Sequence, residues 1–227
     1  MNFPPEIIFF KRQLLCCLLF FIPACSTKSN NEIDVHSKTD SLRIEQRADE
    51  ALNEIFNLKK NVNQGDLILR TGRDYTSDVM RLLSATDKTY SHCGIACFEN
   101  DSLFVYHAIG GEWNPDQKLR RDPFEFFCNP YENRGFGIFR YSISKNEQAN
   151  LSKIVRNLYT RGVMFDMEFN IDSDDRMYCS EFIYKSIEMS TDDRIILPVT
   201  IMNSVKFVAV DNLFINPFCK QIKRVKF

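Results

Sequence analysis

Histidine is scarce. The 227 residues hold three, His36, His92 and His107, so chemistry that needs an imidazole has few places to reside. Charge of one sign is also lacking. Lys and Arg number 29 against 30 Asp and Glu, which leaves a formal charge of −1. That balance provides no basic footprint for nucleic acid and no polybasic patch for anionic lipid. No CxxC pair and no Cys/His cluster of zinc-finger spacing occurs, which argues against a structural metal. There is no internal repeat and no low-complexity tract. The apolar run at 14–22 is too short to cross a bilayer as a stable anchor.

What is present is phenylalanine, with 20 copies in an aromatic fraction of 13%. This predicts a folded, apolar-cored domain, large enough to be stable without disulfide staples. The N-terminus has Lys11 and Arg12, then the short apolar run, then Ile22-Pro23-Ala24-Cys25-Ser26. A basic flank, an apolar stretch and a small residue before the cut describe a signal peptide over 1–24. The last of these residues resemble a bacterial lipobox, in which Cys25 is acylated and becomes the new N-terminus. An ordinary cleaved signal with an incidental Cys is the alternative. Residues 25–40 are expected to be a flexible tether, and 41–227 one domain. After the cut Cys93, Cys97, Cys128, Cys179 and Cys219 remain, an odd number, so at least one thiol is unpaired within the chain.

Along the mature chain, helical spacing predicts a helix over Ser41 to Val62. A short strand follows at Leu67-Ile68-Leu69, and a helix at Thr76 to Leu83 with Ser77 or Asp78 near its cap. Strands are expected at Ser91 to Phe98 and Leu103 to Ile109, joined by turn chemistry at Glu99 to Ser102. A helix start at Pro123 to Phe127 would be capped by Asp122. A strand at Gly137 to Tyr141 precedes a helix over Ser144 to Tyr159 with a Ser144/Glu147 capping box. A polar loop at Asn170 to Arg176 leads to a helix over Cys179 to Met189, and Val205 to Val210 is a last strand. The fold class is α+β, a small antiparallel sheet packed with helices.

Cys179 opens a helix, in Met177-Tyr178-Cys179-Ser180-Glu181-Phe182. The positive end of the dipole favours its thiolate, and the free N–H groups of the first turn suit a developing oxyanion. A buried structural thiol or a redox thiol would fit the same position. His92 and His107 lie on the two strands of the expected hairpin. If Phe98 pairs with Leu103 they share a face; a slip of one residue would send them to opposite faces. On that face Gly94 and Ala96 leave room beside His92. A His base oriented by a second polar residue is what a cysteine nucleophile needs. Two packing histidines are the plainer alternative.

Gly65-Asp66-Leu67-Ile68, then Tyr90-Ser91-His92-Cys93-Gly94-Ile95, then Tyr178-Cys179-Ser180-Glu181-Phe182 resemble, in that order, the YiiX/YebB-like permuted papain-fold amidases. These are circularly permuted relatives of the NlpC-type cell-wall peptidases. The resemblance spans about Asn63 to Met189. It implies a permuted papain topology, Cys179 as nucleophile and His92 as base. The family's third polar residue, often Glu, sits where this chain has His107. Asp66 and Glu181 match the motifs, and substrate binding is a role open to both. The implied reaction is amide hydrolysis in the bacterial cell envelope without cofactor or metal. The substrate would be a peptidoglycan peptide or an N-acyl amino acid, with the protein held to the membrane by its N-terminal lipid. Three alternatives stay open: a lipid acyltransferase on the same site, an inactive binding lipoprotein, and a metal site of His92, His107 and Cys179. No oligomeric state follows from the sequence.

Overall fold

The computed structural model describes residues 30–227. The signal segment and Cys25 lie outside them. The first helix, α1 (Asn30–Leu58), begins earlier than its apolar spacing suggested, so 30–40 is helical where a tether was expected. Among the described residues no helix is long and apolar enough to cross a membrane.

The body, 41–227, is a six-stranded sheet in the order β4-β3-β2-β1-β5-β8. The strands are β1 (Leu67–Gly72), β2 (His92–Glu99), β3 (Ser102–His107), β4 (Arg120–Pro123), β5 (Asn133–Tyr141) and β8 (Cys219–Lys226). Every neighbouring pair is antiparallel. Between β1 and β2 lies α2 (Tyr75–Leu82), capped by the carboxylate of Asp74, which accepts from the Ser77 N–H. The expected caps, Ser77 and Asp78, fall inside the helix because Asp74 reaches the first-turn donors sooner. The short helix α3 (Phe124–Phe127) follows β4 with no side-chain cap. Asp122 was expected there, but its carboxylate is turned to the histidines instead. Helix α4 (Lys145–Arg161) carries the Ser144/Glu147 capping box and ends on Gly162 in the left-handed region. Helix α5 (Cys179–Ser190) follows a long loop. A separate hairpin, β6 (Thr200–Met202) with β7 (Val205–Phe207), replaces the longer strand expected to reach Val210.

Strand alternation gives the sheet two buried faces. Leu67, Leu69, Cys93, Ile95, Cys97 and Tyr106 share one cluster with Leu151 and Val155 of α4 and Phe182 and Ile183 of α5. Ile68, Ala96, Val105, Phe136 and Ile138 share the other with Ile55 of α1 and Phe124 and Phe127 of α3. The central strands are therefore apolar on both sides. The two edge strands, β8 with its run of Lys and Arg and the short β4, face water along most of their length, as suits exposed sheet edges.

Gly94 sits close against β3. A Cβ there would lie 2.4 Å from Val105 Cγ1 and 2.8 Å from the Tyr106 carbonyl oxygen. Backbone cannot yield cheaply, so Gly94→Ala should cost about 1–3 kcal/mol, the usual range for overpacking. A urea midpoint equal to that of the unaltered protein would show that the hairpin spreads freely.

Candidate active site

The β2–β3 hairpin turns on Asn100 and Asp101, both in the left-handed region (φ 45° and 64°). This is the twisted two-residue geometry favoured in hairpins. Phe98 pairs with Leu103, the register on which His92 and His107 share a face. Their rings meet: His92 Nε2 lies 2.8 Å from His107 Nδ1. The other nitrogen of His107, Nε2, lies 2.9 Å from Asp122 Oδ2. Asp122 comes from β4, whose pairing places it opposite Val105 on the same face. Its second oxygen accepts from Arg120 at 3.0 Å.

The protonation of this chain follows from its surroundings. Burial would raise the Asp122 pKa, but hydrogen bonds from His107 and Arg120 prevail and hold it below 3.8. Burial pushes His107 down to about 4, against the pull of Asp122. Burial, then the charge of Arg70, push His92 well below 6.5. Both imidazoles are neutral near pH 7 and Asp122 is an acceptor only. His107 must then donate from Nε2 and accept at Nδ1, and His92 must donate from Nε2. The tautomers are assigned from this network. The consequence is a bare lone pair on His92 Nδ1. Phe127 seals the chain, stacked on His92 (5.8 Å, 30°) and edge-on to His107 (5.0 Å). Arg70 lies 4.6 Å over the same ring.

Cys179 begins α5. The helix is pinned there by Ser180 Oγ, which donates to the Val208 carbonyl at 2.7 Å, and by Tyr178 Oη, which accepts from the Val208 N–H at 2.8 Å. A hydrogen bond from the Cys93 thiol lowers the Cys179 pKa; burial opposes, and the first-turn N–H groups of Ser180 and Cys179 assist. Burial drives Cys93 itself well above 9.0, so it remains the donor.

The sequence-predicted residues thus fall in two groups. His92 and His107 are bonded on the Phe127 face. Cys179 stands on the α5 face, beside the next strand residue, Cys93. Among the described residues no hydrogen bond joins Cys179 to His92. Glu181, in the first turn of α5 two residues after Cys179, is fully buried, its pKa raised to about 7 by burial, with Lys185 Nζ at 3.0 Å and the Tyr178 N–H on its other oxygen. Asp66 is held in a buried ion pair with Arg140, both contacts at 2.7 Å, remote from the histidines at the far end of β1. Both carboxylates brace the scaffold. Asp122, Arg70 and Cys93 were missed on the sequence. Asp122 had a signal, a carboxylate before Pro, but that signal points equally to a helix cap.

Among the described residues no group of three or more His, Cys, Asp or Glu could hold a metal ion. Three of the four imidazole nitrogens of His92 and His107 are spent on the chain to Asp122. His92 Nδ1 and Cys179 Sγ remain, too few donors for a tetrahedral site.

No family model matches the chain. Over 123 residues it is 28% identical to the uncharacterized protein YiiX of Escherichia coli strain K12, an alignment covering 53% of this chain and 55% of YiiX. The match thus spans about half of that relative. The crystal structure of metalloprotein YiiX from Escherichia coli O157:H7 superposes with a TM-score of 0.59 at 19% identity, over 73% of this chain and 98% of that one. The α+β architecture is that of the YiiX structure, and the chain is homologous to YiiX.

Two outcomes follow from the charge states. The folded imidazoles take up protons only well below 6.5, whereas the unfolded ones do so near 6.5. Stability should be full above pH 6.5 and fall as pH drops towards 4; thermal melts of His107→Gln should show a shallower decline. An equal slope in the variant would mean that other groups govern acid unfolding. Removing the sulfur donor in Cys93→Ala should raise the pKa of Cys179. Iodoacetamide labelling against pH, mapped to Cys179, should then shift to higher pH; an unmoved curve would discard the Cys93 contact.

Proposed function

We propose that this homologue of YiiX is a cysteine hydrolase that cleaves an amide bond, with Cys179 as nucleophile and His92 as its base. The observation that carries the reading is the Asp122–His107–His92 chain, which ends in a free Nδ1 lone pair at the strand residue next to Cys93, the neighbour of Cys179. A chain of fixed tautomers with an open basic end suits proton abstraction.

The resting thiol of Cys179 lies against Cys93. Catalytic hydrogen bonds are often long until substrate binds. On binding, Cys179 turns towards the start of β2, and its proton passes to His92 Nδ1. The sulfur attacks the amide carbonyl, and the N–H groups of the first α5 turn receive the oxyanion. The imidazolium returns its proton to the leaving amine. Water then cleaves the thioester, regenerating Cys179. His107 and Asp122 steady the positive charge while it exists. Burial, and then the charge of Arg70, keep His92 uncharged at rest.

The permuted papain topology belongs to this reading, as does the envelope setting. Processing at Cys25 with acylation would hold the domain at the membrane, within reach of peptidoglycan peptides or N-acyl amino acids. The word metalloprotein describes the E. coli protein; the donors left free here do not fit such a centre, and no step is routed through one.

His92→Ala should lower kcat/KM on an amide substrate about a hundred- to ten-thousand-fold. His107→Gln keeps an acceptor for His92 and a donor for Asp122, and should lose about tenfold or less. His107→Glu restores the residue common in the resembling family but sets a second carboxylate against Asp122 in a buried site, and should lose more. The ascending limb of kcat/KM should lie below pH 6.5, since His92 is depressed. Full activity of His92→Ala, or a limb above 6.5, would remove His92 from the role of base.

A further inference from the structure

Cys93 and Cys179 meet from two elements that are each held in place. Cys93 lies on β2, fully buried, with its backbone paired to Leu69 of β1. Cys179 opens α5 and is only half-buried. The start of α5 is fixed by the bonds of Ser180 and Tyr178 to Val208, and by Glu181, which accepts from the Tyr178 N–H. Both cysteines are free thiols, and their side chains share a hydrogen bond. Sulfurs in such contact on fixed backbones need little more than side-chain rotation to reach bonding distance.

No other thiol competes. Among the described residues the remaining free cysteines are Cys97, Cys128 and Cys219. Cys97 is four residues further along β2, about 13 Å away. Cys219 is on β8, three strand spacings from β2, about 14 Å. Both exceed the roughly 7 Å between Cα atoms that a disulfide can span. Cys128 belongs to the core on the other face of the sheet. The two partners also differ as a reacting pair requires. Cys179 is reachable from solvent and its thiolate is favoured, so it is the sulfur that meets an oxidant. Cys93 is shielded from solvent but touches Cys179.

We propose that Cys93 is a resolving thiol, which closes a disulfide with Cys179 when a peroxide oxidises that sulfur, and so switches the nucleophile off reversibly. The Cys179 thiolate attacks one oxygen of hydrogen peroxide. The O–O bond breaks, a sulfenic acid forms, and the departing hydroxide recovers the proton that Cys179 had released. The Cys93 sulfur then attacks the Cys179 sulfur. The S–O bond breaks, and its hydroxide leaves with the Cys93 proton as water. Two thiols give up two electrons, and the peroxide becomes two waters. Without Cys93 the sulfenic acid would go on to a sulfinic acid, which thiols do not reverse. As a control on activity this rests on the hydrolase reading; the disulfide itself needs no turnover.

The test uses the full-length reduced chain and hydrogen peroxide, followed by alkylation in denaturant and peptide mapping without reductant. The expected product is a linked Cys93–Cys179 peptide, lighter by two hydrogens than its parts. Dithiothreitol should split it and restore iodoacetamide labelling of Cys179. In Cys93→Ala, Cys179 should instead gain two oxygens and stay unlabelled after dithiothreitol. Cys97→Ala should leave the linked peptide unchanged. Recovery of Cys93 as the alkylated thiol from the treated, unaltered chain would overturn the proposal, whether Cys179 is then sulfinic, joined elsewhere or still reduced. That outcome needs no variant to fold. A linked peptide in a protein that cleaves no amide would keep the disulfide and remove the hydrolase reading. Amide cleavage that peroxide abolishes and dithiothreitol fails to restore would do the reverse.

Discussion

The pairing of β2 with β3 holds the candidate site together, because the side-chain period of a strand is two. Phe98 opposite Leu103 sends His92, Gly94 and Ala96 to the face of α3, and Cys93, Ile95 and Cys97 to the face of α5. A slip of one residue would exchange these sets. It would break the bond between the imidazoles and drive an apolar strand face against the wrong core. Two things fix the register. One is the two-residue turn at Asn100 and Asp101. The other is Gly94, whose missing side chain lets Val105 and the Tyr106 carbonyl close in. The third strand, β4, inherits that register and delivers Asp122 to His107.

Burial then decides the chemistry. A wet pair of histidines would titrate near 6.5 and exchange tautomers freely. Packed under Phe127 and beside Arg70, both are held neutral. The one ionised member, Asp122, is kept charged by two donors and so orders every proton above it. An unsatisfied nitrogen at that depth would be costly, so every imidazole nitrogen except the terminal Nδ1 of His92 has a fixed partner. The same argument explains Cys93: its thiol is too buried to ionise, which makes it a dependable donor to Cys179.

Much of this was legible in the sequence where the signal is local. The Ser144/Glu147 box marked the start of α4 to the residue. The length of the turn after Phe98 supplied the parity that aligns the two histidines. The polar loop before Cys179 marked a helix start. What escaped is non-local. Arg120-Arg121-Asp122-Pro123 has no apolar alternation, and it becomes a strand only because β3 has an open edge. Asp122 therefore looked like a helix cap. β8 is charged and edge-placed, so it too lacked the apolar pattern. That Cys93 would meet Cys179 depends on which sheet face α5 covers, a tertiary choice that hydrophobic spacing leaves open.

The division of labour across β2 has a mechanical consequence. His92 meets His107 on the Phe127 face, and the next residue, Cys93, meets Cys179 on the α5 face. On the proposed reading, two successive residues at the start of β2 serve the base and the nucleophile. On that reading, substrate binding displaces the resting thiol contact with Cys93. Freed from that contact, Cys179 loses the hydrogen bond that favoured its thiolate and needs a proton acceptor at that moment. The nearest basic lone pair on the same strand is His92 Nδ1. On this account the protein without substrate keeps its thiol and its base on separate faces. The relay needs no rearrangement of its own, because its tautomers are set in advance by Asp122. Only the sulfur has to move.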